Sequence, residues 1–194
     1  MLDTVLRRRL DGTLAPVTAR VAALNIGANR LTVAAFLLAA VAIFDISRQF
    51  YLIGLAFLVA ARLLGALDGA VARLKGATGF GAYLAGVLDL IATAGVPFAF
   101  ALAEPDRALA SMFLMLGLVA RAGAVGAVDQ PTKADRSITF FNRVGNLVEK
   151  TDLFVAFALA CVFPQWFSII AYTLGILCFI AVGARVSAAA YQRQ

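Results

Sequence analysis

The stretch Gly65–Asp89, GALDGAVARLKGATGFGAYLAGVLD, sets two aspartates, Asp68 and Asp89, among glycines and alanines within otherwise apolar sequence. A carboxylate in the middle of a membrane helix costs about 2.5–3.5 kcal/mol on insertion scales. Ionisable residues are therefore rare in membrane helices, and those that occur usually mark a functional site. The stretch predicts a polar site held by two apolar helices.

The composition around this stretch is that of a polytopic membrane protein. The 194 residues are 62% hydrophobic and 14% charged, and the mean hydropathy is +0.90. Soluble domains are about half apolar and about a quarter charged, so we expect a single membrane domain over residues 1–194. The chain has no histidine, which excludes His-based catalysis and His-ligated zinc. Cys161 and Cys178 lie in hydrophobic stretches and are interpreted as small core residues.

The hydrophobic pattern predicts an all-α integral membrane protein with six transmembrane helices. Each segment has the roughly 20 residues that cross a hydrocarbon core of about 30 Å. Before them, residues 2–22 alternate apolar and basic positions, which predicts an interfacial amphipathic helix that lies on the membrane. The predicted helices lie near 29–47, 50–74, 79–103, 107–128, 140–163 and 166–189.

The distribution of basic residues predicts the topology. The net charge is +6, and most of it precedes the first helix or lies in the second-to-third and fourth-to-fifth connections. Only Arg48 and Arg107 fall in connections on the other side. The positive-inside rule then puts both termini, and the Gly65–Asp89 site, in the cytoplasm. The basic surface favours anionic membrane lipids as partners and not nucleic acid.

Helical spacing groups the polar and small residues of this stretch on two faces. On the second helix one arc of about 100° carries positions 65, 68, 69 and 72. On the third helix one face carries positions 81, 85 and 89. A short turn would bring the two faces together, and their small residues would leave room for a flat ligand against the backbone. Arg73 is placed to meet a phosphate, and the two aspartates to share a hard divalent cation.

These residues resemble the signature of the CDP-alcohol phosphotransferase (CDP-alcohol phosphatidyltransferase) family, D-x-x-D-G-x-x-A-R followed after about eight residues by G-x-x-x-D-x-x-x-D. Asn29-Arg-Leu-Thr32 is similar to the family's P-N-x-x-T start, with Ala28 in place of proline. The stretches 136–141 and 149–152 are similar to the fifth-helix entry of a bacterial branch. Six helices and a cytoplasmic amphipathic arm also match the family, so the resemblance covers most of the chain.

The resemblance implies a membrane enzyme of phospholipid biosynthesis, in a bacterial inner membrane, that displaces CMP from a CDP-linked lipid, commonly CDP-diacylglycerol, with an alcohol. It implies a homodimer and a divalent cation, Mg²⁺ or Mn²⁺, held by motif aspartates that include Asp68 and Asp89. Asp89 takes the position of the catalytic base. The residues that it places at the nucleotide and substrate are Asn29, Thr32, Asp68, Gly69, Ala72, Arg73 and Gly81.

Two positions of the signature lack their aspartates. Gly65 and Ala85 stand where the family has the first and third, and neither side chain offers a ligand atom. The usual preformed site for two metal ions is therefore not expected. The site is expected to bind either one ion, recruited with the substrate diphosphate, or no ion. Glu149 and Asp152 are candidate replacement ligands, with an interfacial pair satisfied by Lys150 or Arg143 as the favoured interpretation.

Two functions remain open at this point. One is a phosphatidyltransferase weakened by the two missing aspartates, and the other is an inactive family member that binds a nucleotide or lipid or acts as a scaffold. The family resemblance favours the first and the metal chemistry favours the second. Arg62 and Arg121 either snorkel to an interface or pair with an acidic group or phosphate. The acceptor alcohol does not follow from the sequence.

Overall fold

The computed structural model describes residues 27–76, 78–126 and 150–191, and these form α-helices joined by short turns, with no strand among them. The all-helical prediction is confirmed for this part of the chain. The predicted amphipathic arm at 2–22, and residues 140–149 of the predicted fifth helix, lie outside the described residues. The helices are α1 (Ala28–Ser47), α2 (Tyr51–Lys75), α3 (Gly79–Ala103), α4 (Ala108–Gly126), α5 (Lys150–Val162) and α6 (Phe167–Tyr191).

Five segments of the described chain are long and apolar enough to cross a membrane. They correspond to α1, α2, α3, α4 and α6, and each helix begins within one residue of its predicted start. The described part of α5 has 13 residues, fewer than the roughly 20 needed for a full crossing. Five candidate spans are therefore established here, and the sixth stays a prediction.

The described connections, from α1 through α4 and from α5 to α6, are short and lie where the polar residues predicted them. Gln49 separates α1 from α2 and adopts a positive φ of 66°. Gly76 ends α2 with a φ of +91°, a conformation that costs glycine little and other residues more. Single 3₁₀ turns that begin at Pro105 and Pro164 precede α4 and α6. Proline favours such a first turn because it has no N–H group to leave unsatisfied.

The chain divides into two compact units, Met1–Ala99 and Phe100–Gln194. In the first unit α1 packs along α2, and glycine allows the close approach. A Cβ atom added at Gly54 would lie 3.0 Å from the carbonyl oxygen of Ala42 and 2.6 Å from Cγ1 of Ile46. Ala42 and Ile46 are fully buried. Close backbone approach through small residues is the usual basis of helix packing in membranes.

The second unit is built on contact between α4 and α6. A Cβ added at Gly117 would lie 3.1 Å from Cβ of Cys178 and 3.2 Å from the carbonyl oxygen of Gly175. Cys161 and Cys178 are both buried and free, as predicted. The backbones of α4 and α6 therefore approach each other closely at these two glycines, and the Phe113 ring of α4 lies against Gly175.

Arg107 anchors the start of α4 in the same unit. Its side chain is buried, with a residue exposure of 8%, and its Nη2 lies 2.9 Å from Oε2 of Glu104. The guanidinium carbon is 5.8 Å from the centre of the Phe100 ring, which stacks on Phe167 at 4.1 Å. A buried charge is tolerated because a carboxylate and an aromatic face both compensate it. The sequence placed Arg107 in a connection and did not indicate this burial.

We expect Gly117→Ala to destabilise the protein by about 1–3 kcal/mol, because the new methyl would lie 3.1–3.3 Å from Cys178 Cβ and backbone atoms of Gly175, and overpacking of this kind costs more than the gain in helix propensity. Gly123→Ala is the matched control on the same helix, since a Cβ there meets nothing within 4 Å. Alanine favours helix over glycine by about 1 kcal/mol, so this control should keep or raise stability. Thermal unfolding of the detergent-solubilised variants measures both, and equal losses would contradict the packing argument.

Candidate functional site

Asp68 is the acidic residue of the predicted site with the clearest structural surroundings. It lies on α2, with 9% of its surface exposed. Its Oδ2 atom accepts a hydrogen bond of 2.6 Å from the hydroxyl of Thr32, which is itself 8% exposed. Hydrogen bonds to an ionised acceptor are short and about twice as strong as neutral ones. Asp68 is therefore satisfied by a side chain of the neighbouring helix.

Thr32 sits one turn into α1, where two acceptors compete for its single proton. The Thr32 oxygen is 3.1 Å from the carbonyl oxygen of Ala28 and 2.6 Å from the Asp68 carboxylate. The shorter contact, to the stronger acceptor, takes the proton. The sequence placed Thr32 among the substrate-binding residues, and its contact with Asp68 emerged only from the packing of α1 on α2.

Gly81 lies where the start of α1 meets the start of α3. A Cβ atom added there would lie 2.7 Å from Oδ1 of Asn29 and 2.9 Å from the hydroxyl oxygen of Thr78. The Gly81 N–H donates a hydrogen bond of 3.1 Å to the same Thr78 hydroxyl, the pattern of a helix N-cap. A side chain at position 81 would have to displace the side chains of Asn29 and Thr78, and Asn29 is brought to the third helix. Thr78 was not predicted; a threonine just before a helix start is the signal that identifies it.

The two predicted faces therefore each contact the beginning of α1. Asp68 on α2 contacts Thr32, and Gly81 on α3 contacts Asn29. Asn29 and Thr32 are three residues apart and lie on one side of a helix. This arrangement gathers at one place four residues that the resemblance assigned to the nucleotide and substrate.

The Arg73 side chain lies along the surface of α2 at Gly69, next to Asp68 in the sequence. Its Nη1 atom lies 3.6 Å from the point that a Cβ of Gly69 would occupy, and its side chain is exposed. Ala72 beside it is half-buried. Arg73 also has an interaction within the protein. Because a guanidinium has five N–H donors, it can bind a phosphate in addition to such a partner.

Asp89 lies on α3, half-buried, and shares that exposure with Gly81 and Ala85. These are the three positions predicted to share one face. The Asp89 carbonyl oxygen accepts a hydrogen bond of 2.7 Å from the hydroxyl of Thr93 one turn later. The Asp89 side chain also has an interaction partner within the protein.

The described residues do not fit a two-metal centre. Gly65 is exposed, and no described atom lies within 4 Å of the place that its Cβ would occupy. Ala85 likewise offers no ligand atom. Over residues 27–76, 78–126 and 150–191, no three acidic, cysteine or histidine residues come together to hold a metal ion. Of the proposed replacement ligands, Asp152 is in the first turn of α5, whereas Glu149 and its possible partner Arg143 lie outside the described residues.

Three of the predicted intramembrane charges are arginines. Arg121 on α4 and Arg185 on α6 are half-buried. The Nε atom of Arg121 is buried and has no hydrogen-bond partner among the described residues. Arg62 on α2 is half-buried and has an interaction partner within the protein. Snorkelling of Arg121 and its binding of a phosphate both stay predictions.

The chain is similar to a known membrane protein in sequence and to a solved structure in fold. The chain is 33% identical to the inner membrane protein YnjF of Escherichia coli over 196 residues, which covers 96% of this chain and 94% of that protein. Its fold is similar to the crystal structure of Mycobacterium tuberculosis phosphatidylinositol phosphate synthase (PgsA1) with CDP-DAG bound. The TM-score is 0.67 at 18% identity, with 89% of this chain and 90% of that chain covered. No protein-family model matches the sequence.

We expect Thr32→Val to destabilise the protein by about 1–3 kcal/mol, because a buried carboxylate oxygen would lose its donor. Thr32→Ser keeps the hydroxyl and should recover most of the loss. Thermal unfolding in detergent compares the two variants with the unmodified protein. If valine and serine lower the midpoint equally, the threonine methyl and not the hydrogen bond stabilises this contact.

Proposed function

We propose that this chain, which belongs to the family of the Escherichia coli inner membrane protein YnjF, binds a CDP-linked lipid. In this proposal it is a CDP-alcohol phosphatidyltransferase-like protein of phospholipid biosynthesis. The similar structure of PgsA1 was obtained with CDP-DAG bound, which supports a ligand of this class. The membrane-length helices and the inner-membrane relative support a location in a bacterial inner membrane. We further propose that both termini and the site face the cytoplasm and that the protein is a homodimer.

The observation that carries the proposal is the meeting of three helix segments at the start of α1. The Thr32–Asp68 hydrogen bond of 2.6 Å and the approach of Asn29 to Gly81 set polar groups beside a surface with little side-chain bulk. Flat ligands bind well where the backbone can be approached closely. In this proposal the cytidine lies against Gly69, Ala72 and Gly81, with Arg73 at the diphosphate.

The reaction assigned to this site is transfer of a phosphatidyl-type group to an alcohol. The hydroxyl oxygen of the alcohol bonds to the phosphorus that carries the lipid, and the bond from that phosphorus to CMP breaks. Asp89 is the proposed base that takes the hydroxyl proton. Because Gly65 and Ala85 supply no carboxylates, charge developing on the transferred phosphoryl group is poorly compensated, and we expect slow turnover.

The second candidate is a binding protein without turnover. It is favoured by the open space at Gly65 and by the lack, over the described ranges, of any three-residue acidic, cysteine or histidine cluster. Both candidates share the CDP-linked lipid as ligand. They differ in whether CMP is ever released.

Purified protein in nanodiscs, supplied with CDP-diacylglycerol and a set of polyol and polyol-phosphate acceptors, tests both candidates. Binding of CDP-diacylglycerol with slow CMP release supports the weakened enzyme, and binding without release supports the second candidate. No saturable binding of CDP-diacylglycerol or CMP would overturn the proposed ligand. Fast, metal-dependent CMP release by the unmodified protein would contradict the predicted weakening.

We expect the double change Gly65→Asp with Ala85→Asp to raise the affinity for Mg²⁺ or Mn²⁺ by more than about tenfold, as for groups that build a metal site. The structure has room at Gly65, and CMP release should rise with cation binding. The matched control, Gly65→Asn with Ala85→Asn, has nearly the same size without the charge and should do neither. Calorimetric titration with the cation provides the measurement, and unchanged affinity in the aspartate variant would mean that these helices do not present the family's metal geometry.

A further inference from the structure

We propose that this site binds the diphosphate of a CDP-linked lipid without a divalent cation. Arg73 supplies the positive charge that the diphosphate needs. The hydroxyl of Thr32, and not a metal ion, is the partner of the Asp68 carboxylate. The inference rests on the proposed function for the identity of the ligand. In a site with four carboxylates, the nucleotide binds only together with cations. In this chain, we infer, the nucleotide binds whether or not a cation is present.

The charge of the site is the first ground for this inference. Between positions 65 and 89 the acidic residues are Asp68 and Asp89 and the basic residues are Arg73 and Lys75, so the formal charges cancel. A cluster of four carboxylates would repel a diphosphate unless cations neutralised it first. With glycine and alanine at two of those positions, that repulsion falls by two charges.

The partner of Asp68 is the second ground. A buried carboxylate needs hydrogen bonds or a cation to compensate its lost hydration. Here the Thr32 hydroxyl provides one such bond at 2.6 Å and joins α1 to α2. The contact fixes the position of the carboxylate within the protein itself. The carboxylate is therefore held by a side chain of the protein, and its placement does not require a bound ion.

The position of Arg73 is the third ground. Its guanidinium lies against the Gly69 surface, with Nη1 3.6 Å from the place of a Cβ atom, and the side chain is exposed. Arginine remains charged at any physiological pH and binds phosphate through two parallel N–H donors. It can therefore neutralise part of a diphosphate that reaches the same surface of small residues.

The test is equilibrium binding of dioctanoyl CDP-diacylglycerol to nanodisc-embedded protein, in EDTA and in Mg²⁺. We expect dissociation constants for the unmodified protein that agree within about twofold, because no cation takes part. The variant with Gly65→Asp and Ala85→Asp should bind at least about tenfold more weakly in EDTA, and Mg²⁺ should restore its affinity. Arg73→Gln should weaken binding about tenfold in both conditions, and Arg73→Lys less.

The controls separate this inference from the proposed function. The asparagine pair at positions 65 and 85 should bind equally in EDTA and Mg²⁺, which shows that charge and not side-chain size creates the cation dependence. Binding by the unmodified protein only in Mg²⁺ would overturn the inference and leave the proposed ligand intact. Absence of binding in both conditions would overturn the proposed function itself. Thermal unfolding confirms that each variant is folded before its affinity is compared.

Discussion

A carboxylate buried in an apolar helix must have a partner, and in this protein the hydroxyl of Thr32 is the partner of Asp68. The 2.6 Å hydrogen bond crosses from α1 to α2 at the end where the polar residues gather. On the same side of α1, three residues earlier, Asn29 faces Gly81 on α3. The hydrogen bond joins two helices at the polar end of the first unit, where an unpaired buried carboxylate would be costly.

Elsewhere the spans are held by close packing, which has to replace the hydrophobic effect in a lipid environment. The missing side chain of Gly54 lets the carbonyl oxygen of Ala42 approach α2 closely. The missing side chain of Gly117 lets the backbone of α6 approach α4 at Gly175. The large apolar side chains of the spans are mostly exposed, as expected where the surrounding solvent is lipid. The polar site is therefore carried by a scaffold whose helices pack closely through small residues, and Gly65, where a Cβ would meet nothing within 4 Å, takes no part in that packing.

The sequence predicted much of the fold because its signals were local. Runs of about 20 apolar residues separated by charged turns placed the starts of α1, α2, α3, α4 and α6 within one residue. The continuity of α3 through Pro97 followed from the same signal, since apolar length and not helix propensity decides a span. The burial of Arg107 beside Glu104 did not follow, because charged residues at the end of a span are usually exposed.

The sequence by itself determined which residues are chemically able to act: two carboxylates, one arginine and a set of glycines at fixed helical spacing, with Gly65 and Ala85 as gaps in the acidic pattern. Spacing along one helix fixes which positions share a face, because the helical repeat is constant. Only the tertiary structure decided that Asp68 is bound by Thr32 and that Asn29 meets Gly81. Those contacts join residues 36 and 52 positions apart, and their geometry depends on how whole helices pack, which no local pattern encodes.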